Sequence, residues 1–503
     1  MKRISCLYKI IAAILITCTI TGCGSYSNDE LDITTAVNLF PDYEYNQERA
    51  QLLSSRARIA ISEKGYYYAI GDILYYYDIN NSLNTPLCSR IDCTHNDSNC
   101  DAYIYTTSQG ADAKYGCNCM DKKIFYYNGS LYLIERTDDN VFYLCKYDSR
   151  FNNREIVTKI ASVSDDSTLV INADAGVIHD GYLYYYVYVN DGNSSDKDYM
   201  LQNQCRRIKL AKNAVPEILY EFDYASDYAF TLGDSNGLGI SVCNDKVYFV
   251  ACGSGRTYTV NDMTQYNVIS YDIATGKSEK LINYKSDNNS DIFGAGTGRL
   301  DIFSWGNNIV IDNMSNMYVV TSSKKDIYDN NMSDNIIKYN FETKEAESIY
   351  LSEEGNIQSV MYDGNYLYFF EVVERINEPS SSYYTAIDRN GNVIARYELE
   401  YIDEYLRNYK MYVEKLREKG SEIATATAID SNVYVYCSDD RYILIGCNAY
   451  ADVFKNLSSS DYNKNNTVRG NFVEQRIVGV GIIDKADFLS GNGEIKQIFQ
   501  YKP

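Results

Sequence analysis

Histidine is almost missing from this chain: His95 and His179 are the only two in 503 residues. A Ser-His-Asp hydrolase would have to use one of them, and neither sits beside a nucleophile-elbow motif. Positive charge is short as well. Lys and Arg number 47 against 68 Asp and Glu, for a net charge of −21. A body this acidic repels phosphate backbones, which argues against nucleic acid as a partner. Beyond Ile20 no apolar stretch reaches the roughly 20 residues a membrane span needs, so the rest of the chain is expected to be soluble. There is no P-loop and no dinucleotide fingerprint. Asp191, Asp196 and Asp198 crowd one loop, but without the ligand order of an EF-hand. Tryptophan occurs once and proline five times, against 52 tyrosines.

Tyrosine is a strand former with an apolar body and a polar tip. Its abundance points to an all-β protein. The length exceeds one ordinary domain, so several domains or one repeat array is expected. A hairpin of one style does recur. Its turn is read at Ser62–Gly65, Asn128–Gly129, Asp180–Gly181, Asn244–Asp245, Asn307–Asn308, Asp363–Gly364 and Asp430–Ser431. Each is followed by a run such as Tyr66-Tyr67-Tyr68, Leu131-Tyr132-Leu133-Ile134 or Val433-Tyr434-Val435-Tyr436. Asn-Gly and Asp-Gly tolerate the positive φ of tight hairpin turns, which makes them the strongest short-range signal of this kind.

The turns recur about every 61 residues, longer than a compact blade and so implying loop insertions. Several repeats show a second hairpin, with turns at Ala274–Lys277, Thr343–Lys344 and Arg389–Asn392. Two hairpins make four antiparallel strands, which is one propeller blade. A lone blade cannot bury both faces, so blades must stack around an axis. The expected fold is therefore an all-β, seven-bladed β-propeller over residues 46–503. Two stretches interrupt it. Residues 400–419 place Ile402, Leu406, Tyr409, Val413 and Leu416 at helical spacing, which predicts an inserted amphipathic helix. Residues 455–471 read as a long polar loop.

The amino-terminal end carries an address. Lys2, Arg3 and Lys9 precede the apolar run Ile10–Ile20, which is the pattern of a secretory signal peptide. Ile20-Thr21-Gly22-Cys23 follows at once and resembles the lipobox of bacterial lipoproteins. The resemblance implies a signal peptide at 1–22, cleavage after Gly22, and acyl chains on Cys23. Anchoring by two or three chains is stable. Residues 23–45 then read as a polar tether. Residues 1–22 hold three basic and no acidic side chains, so the mature chain carries −24. In repeat style, residues 50–500 resemble extracytoplasmic propeller lipoproteins of low-GC Gram-positive bacteria, with TolB-like repeats. The resemblance implies an extracytoplasmic, membrane-anchored protein and assigns no activity.

One constellation suggests chemistry. Cys88, Cys93, His95 and Cys100 fall within a single short segment. Three thiols and an imidazole suit a tetrahedral zinc site. Outside the cell, neighbouring cysteines ordinarily pair, which favours a disulfide-stapled loop. Cys117 and Cys119 follow closely and fit either arrangement. Beyond Cys23 there are eleven cysteines in the mature chain, an odd count, so they cannot all pair within it. Cys243, Cys252, Cys437 and Cys447 flank strand-like segments and read as buried free thiols. His179 precedes a repeat turn and reads as structural. No cofactor motif is present. The leading expectation is a binding module for a protein or glycan ligand. The alternatives are a carbohydrate-active enzyme with paired carboxylates in the channel, and a structural subunit of an envelope complex.

Overall fold

The hairpin turns sort into two kinds. In the second, third and fourth repeats two residues make the turn, and both take positive φ. They are Asn128 and Gly129 (48° and 72°), Asp180 and Gly181 (46° and 74°), and Asn244 and Asp245 (51° and 58°). Their twist matches that of the strands they join. In the other four a side chain caps a longer turn. Ser62 Oγ donates to the Gly65 carbonyl at 2.8 Å. Asp312 Oδ1 accepts the N–H groups of Met314 and Asn316, Asp363 Oδ1 those of Asn365 and Tyr366, and Asp439 Oδ1 those of Arg441 and Tyr442.

Two of these turns correct the sequence reading. The fifth lies at 312–315, with Val310 and Ile311 in the strand before it rather than after it; Asn307 and Asn308 lie outside the described residues. The seventh lies at 439–441, because Asp430 and Ser431 sit within a continuous strand opposite Tyr450 and Ala449. In both, an aspartate side chain makes the turn without the glycine that would mark it.

The protein is seen in a computed structural model that describes residues 39–40, 43–47, 49, 59–70, 73–95, 99–104, 117–119, 123–137, 141–162, 168–190, 201–221, 237–254, 264–286, 299–300, 310–322, 334–352, 355–373, 381–399, 423–455 and 471–500. Blade 1 is β1 (Ile59–Ile61), β2 (Gly65–Ile70), β3 (Ile73–Asp78) and β4 (Leu83–Pro86). In blade 2, β5 (Cys117–Cys119) and β6 (Phe125–Tyr127) share the innermost position beside β7 (Ser130–Thr137), followed by β8 (Val141–Asp148) and β9 (Glu155–Ser162). Blade 3 is β10 (Thr168–His179), β11 (Tyr182–Asn190), β12 (Leu201–Lys209) and β13 (Glu217–Glu221). Blade 4 is β14 (Gly237–Cys243), β15 (Lys246–Ser254), β16 (Thr264–Asp272) and β17 (Lys277–Ser286). Blade 5 pairs β18 (Arg299–Leu300) and β19 (Val310–Ile311) with β20 (Asn316–Ser322), then adds β21 (Asp334–Asn340) and β22 (Ala346–Ser352). Blade 6 is β23 (Gly355–Tyr362), β24 (Leu367–Val373), β25 (Ser381–Ile387) and β26 (Val393–Glu398). Blade 7 is β27 (Ile423–Ser438), β28 (Tyr442–Lys455), β29 (Asn471–Asp484) and β30 (Lys496–Gln500).

First strands of successive blades touch: β1 meets β6, β6 meets β10, β10 meets β14, β14 meets β19, and β19 meets β23. They therefore crowd the axis, with the fourth strands outermost. This is the expected seven-bladed, four-stranded β-propeller. The helix described along its whole length is α1 (Lys485–Leu489), N-capped by Asp484; five residues are too few to show helical periodicity in sequence. Cys23, the leader, Asp191, Asp196, Asp198, the 400–419 segment and residues 456–470 lie outside the described residues.

The core lies between blades. Ala60, Leu74, Ile124 and Leu131 share a cluster across blades 1 and 2, and Tyr184, Cys205, Phe249 and Ile269 share one across blades 3 and 4. Tyrosine dominates because its ring fills these seams; Tyr66, Tyr68, Tyr184, Tyr185, Tyr186, Tyr318 and Tyr368 are almost fully buried. The third strand ends in Asp or Asn in five blades, at Asp78, Asp148, Asp272, Asn340 and Asp484, and in blade 6 Asp388 follows it directly. Each accepts backbone N–H groups of the turn that follows, for instance Thr275 on Asp272 at 2.8 Å and Asn392 on Asp388 at 2.9 Å.

The ring closes between two complete blades. Tyr66 of blade 1 donates to Asp439 of blade 7 at 2.8 Å. Arg441 pairs with Asp439 at 2.7 Å and donates to the carbonyls of Glu63 and Ser62. A leading segment crosses this seam and reaches blade 2: Tyr43 lies over the Arg441 guanidinium at 3.9 Å, Tyr45 donates to Ile61 O of blade 1, Arg49 pairs with Asp440 of blade 7, and Gln47 accepts Asn128 N–H of blade 2. Because neighbouring strands are antiparallel, the tight first-to-second and third-to-fourth turns share this end of the propeller. At the opposite end the strand pairs β11–β12, β15–β16, β20–β21 and β28–β29 stop and restart, with long stretches of sequence between them. The fourth strands β4, β13, β17 and β26 also end there, each separated by a long stretch of sequence from the first strand of the next blade.

Candidate metal centre

Strand β4 ends at Pro86, yet the chain stays beside β3. Leu87 N–H donates to the carbonyl of Leu74 at 2.9 Å, and Leu74 N–H donates to the carbonyl of Ala102 at 2.9 Å. Ile73 then bridges Tyr103. One residue, Leu74, thus holds both ends of the intervening segment. Its returning arm alternates: Cys100, Ala102 and Ile104 are buried, while Asp101 and Tyr103 are half-exposed. The three buried side chains enter the core between blades 1 and 2, beside Ile124, Tyr126 and Leu133.

That double anchorage brings the four predicted residues together. The ligand atoms of Cys88, Cys93, His95 and Cys100 all lie within 4.8 Å of one another. His95 Nδ1 is 3.5 Å from Cys100 Sγ. The three cysteines are free thiols; Cys100 is buried and the other two half-buried. His95 takes φ of 53°, a left-handed conformation costly for a side-chain-bearing residue, and this aims its ring at the thiols. Arg90 Nη1 donates to Asn99 O at 2.6 Å across the neck of the loop. Burial opposes ionisation of Cys88, but hydrogen bonds from the backbone at Arg90 and Asp101 and from Cys100 and Cys93 outweigh it and lower its pKa. Burial pushes Cys100 up to about 12. Cys88 therefore ionises before Cys100. Thiolates and a neutral imidazole in this arrangement can hold a borderline-soft divalent metal.

The remaining sequence candidates lie elsewhere. Cys117 and Cys119 sit on β5 opposite Thr137 and Glu135, with side chains outside the described residues. Cys437 is buried and Cys243 half-buried, both as free thiols. His179 is buried at the end of β10, with its ring 6.5 Å from that of Tyr184. Sequence reasoning missed Leu74, Ala102 and Ile104, although the alternation from Cys100 to Ile104 is a strand signal that would have found the returning arm.

The buried acids among the described residues are engaged structurally. Glu135 pairs with Arg154 and Glu371 with Arg396, each at 2.8 Å. Asp363 pairs with Lys485 at 2.8 Å and Asp439 with Arg441 at 2.7 Å. Asp312 accepts from Tyr318 and Asn316, and Asp334 accepts Ile357 N–H at 2.8 Å. The exposed large apolar residues Leu83, Ile156, Ile218, Leu351 and Val393 are spread over the fourth strands of five blades, not gathered in one blade.

No protein-family model matches the chain, and no curated protein matches it. Solved structures show distant likenesses. A puromycin hydrolase is 8% identical, with a TM-score of 0.46, over 92% of this chain and 56% of its own. TolB from Acinetobacter baumannii is 11% identical, with a TM-score of 0.29, over 87% of this chain and 80% of its own. The Bombyx mori GH32 β-fructofuranosidase BmSUC1 is 11% identical, with a TM-score of 0.29, over 75% and 85%. At such TM-scores these likenesses carry no argument; the fold rests on the strand pairing itself.

Proposed function

We propose that this chain is a binding module, held on the outer face of a cell membrane by lipid on Cys23, that offers one end of its propeller to a protein or glycan ligand. The observation that supports it most is the inequality of the two ends. The end at which the leading segment packs has tight turns. At the other lie the strand ends that flank nearly all the long intervening stretches of sequence. A rigid scaffold with its long connections at one end is the usual arrangement for recognition.

The first strands favour binding over hydrolysis: none of their described side chains is a carboxylate, and Phe125, Val177, Ile311, Met361 and Val435 pack in the apolar seams between blades. Asp174 and Asp430 also fall on first strands, with side chains outside the described residues, and they are the acids on which a hydrolytic alternative would depend. The test incubates the purified protein with immobilised glycans and cell-envelope fractions and assays retention and release of reducing sugar together. Retention without release is expected. Release abolished by Asp174→Asn or Asp430→Asn would replace this reading with the enzymatic one. For the anchor, Cys23→Ala is expected to shift the protein from the membrane to the soluble fraction. Firm membrane retention of that variant with its leader removed would overturn the lipid anchor.

A further inference from the structure

We infer that Cys88, Cys93, His95 and Cys100 bind one Zn2+ ion in a closed tetrahedral site that pins the segment after β4 into the seam between blades 1 and 2. The site is independent of the ligand that the propeller takes, so either can fail without the other.

The donor count points to metal. A disulfide among three thiols leaves one over and gives the imidazole no part. A tetrahedral ion uses all four groups and leaves none. The spacing agrees. With Zn–S bonds of about 2.3 Å and a Zn–N bond of about 2.0–2.1 Å, neighbouring ligand atoms stand about 3.5–3.8 Å apart. The His95 Nδ1 to Cys100 Sγ distance is 3.5 Å, and the whole set lies within 4.8 Å. A set of three sulfurs and one nitrogen selects zinc over the hard cations calcium and magnesium, which take oxygen. Four protein ligands leave no open position for substrate, so the role is structural.

The surroundings say what such an ion would hold. Between Leu87 and Ala102 the chain leaves the β-sheet and returns to the same residue, Leu74. Ile91, at the tip between two of the ligands, is 97% exposed, so side-chain burial does not hold that tip in place. Cys100 is the exception, buried in the inter-blade core. An ion joining Cys88 and Cys93 to Cys100 would tie the outer part of the loop to that core. The left-handed backbone at His95 is a local cost that metal ligation would offset.

The test uses the full chain, purified in mild detergent from zinc-supplemented cells. Elemental analysis is expected to find one zinc per chain. Cys88, Cys93 and Cys100 should resist alkylation until a chelator is added. Chelator-stripped protein should take up one equivalent of Co2+ with the absorption of a tetrahedral thiolate complex. His95→Ala should weaken metal binding at least tenfold, and His95→Cys should restore one zinc as a four-thiolate site. Because the wild-type stoichiometry and thiol protection decide the matter alone, a variant that fails to fold does not blunt the test. Two results would overturn the site: a disulfide joining two of the three cysteines in protein taken from its native compartment, or zinc no higher than in a chain with all three replaced by serine.

Discussion

Asp363 and Lys485 join blades 6 and 7 by an ion pair in which both side chains are about 4% exposed. Burial alone would raise the carboxyl's pKa. The Lys485 ammonium and the N–H groups of Tyr366 and Asn365 outweigh it and hold Asp363 below the ordinary carboxylate value. A group depressed in the folded state stabilises the fold fully above its unfolded value, near ~3.9. That contribution is lost as pH falls through the lower, folded value. Breaking a buried pair by removing one member costs about 3–5 kcal/mol, because the other charge is left without its partner. Asp363→Asn is therefore expected to lose on that order at neutral pH in urea unfolding. Its deficit against the wild type should hold between pH 7 and 5 and shrink well below pH 4. A deficit that stays constant to the lowest pH at which the protein folds would refute this account of the pair.

At the scale of elements, the outer turn of blade 6 shows how closely neighbouring blades meet. Gly391 has φ of +86°, and a Cβ built there would lie 1.7 Å from the backbone oxygen of Ile349 on β22 of blade 5. Neither the conformation nor the backbone contact can accommodate a side chain. Gly391→Ala should cost on the order of 3 kcal/mol, whereas Asn390→Ala at the exposed neighbouring position should stay within ~0.5 kcal/mol. Equal denaturation midpoints for the two variants would show that the two blades do not meet there. The turns also explain which hairpins the sequence exposes. Asn128-Gly129 and Asp180-Gly181 announce themselves by residue type. The Asp312 and Asp439 turns depend on a side chain accepting two N–H groups, and aspartate is too common in this chain to mark them.

For the whole molecule the decisive contact is the seam of blades 7 and 1. Among the described residues no strand is exchanged across it. Arg441 and Asp439, each about 3% exposed, carry the polar part together with Tyr66 and the carbonyls of Ser62 and Glu63. Arg441→Ala leaves Asp439 buried without its cation and should destabilise the protein by about 3–5 kcal/mol. Arg49→Ala breaks an exposed pair with Asp440 at the same seam and should cost under ~1 kcal/mol. Guanidinium unfolding of both variants checks the contrast. Similar small losses in the two would mean that the ring is held by its apolar seams alone.

Sequence by itself determined the blade. Tyr-rich strands, turn residues and two hairpins per repeat are local signals, and local chemistry decides strands, turns and their number. It also placed three thiols and an imidazole within one short segment. Only the tertiary structure decided how those local units close. Arg441 and Ser62 are far apart in the chain and meet because seven blades complete a circle. The Cys88–Cys100 set gathers because Leu74, on a different strand, holds both arms of the loop. Such encounters depend on where the whole chain returns to itself, and no window of neighbouring residues carries that information.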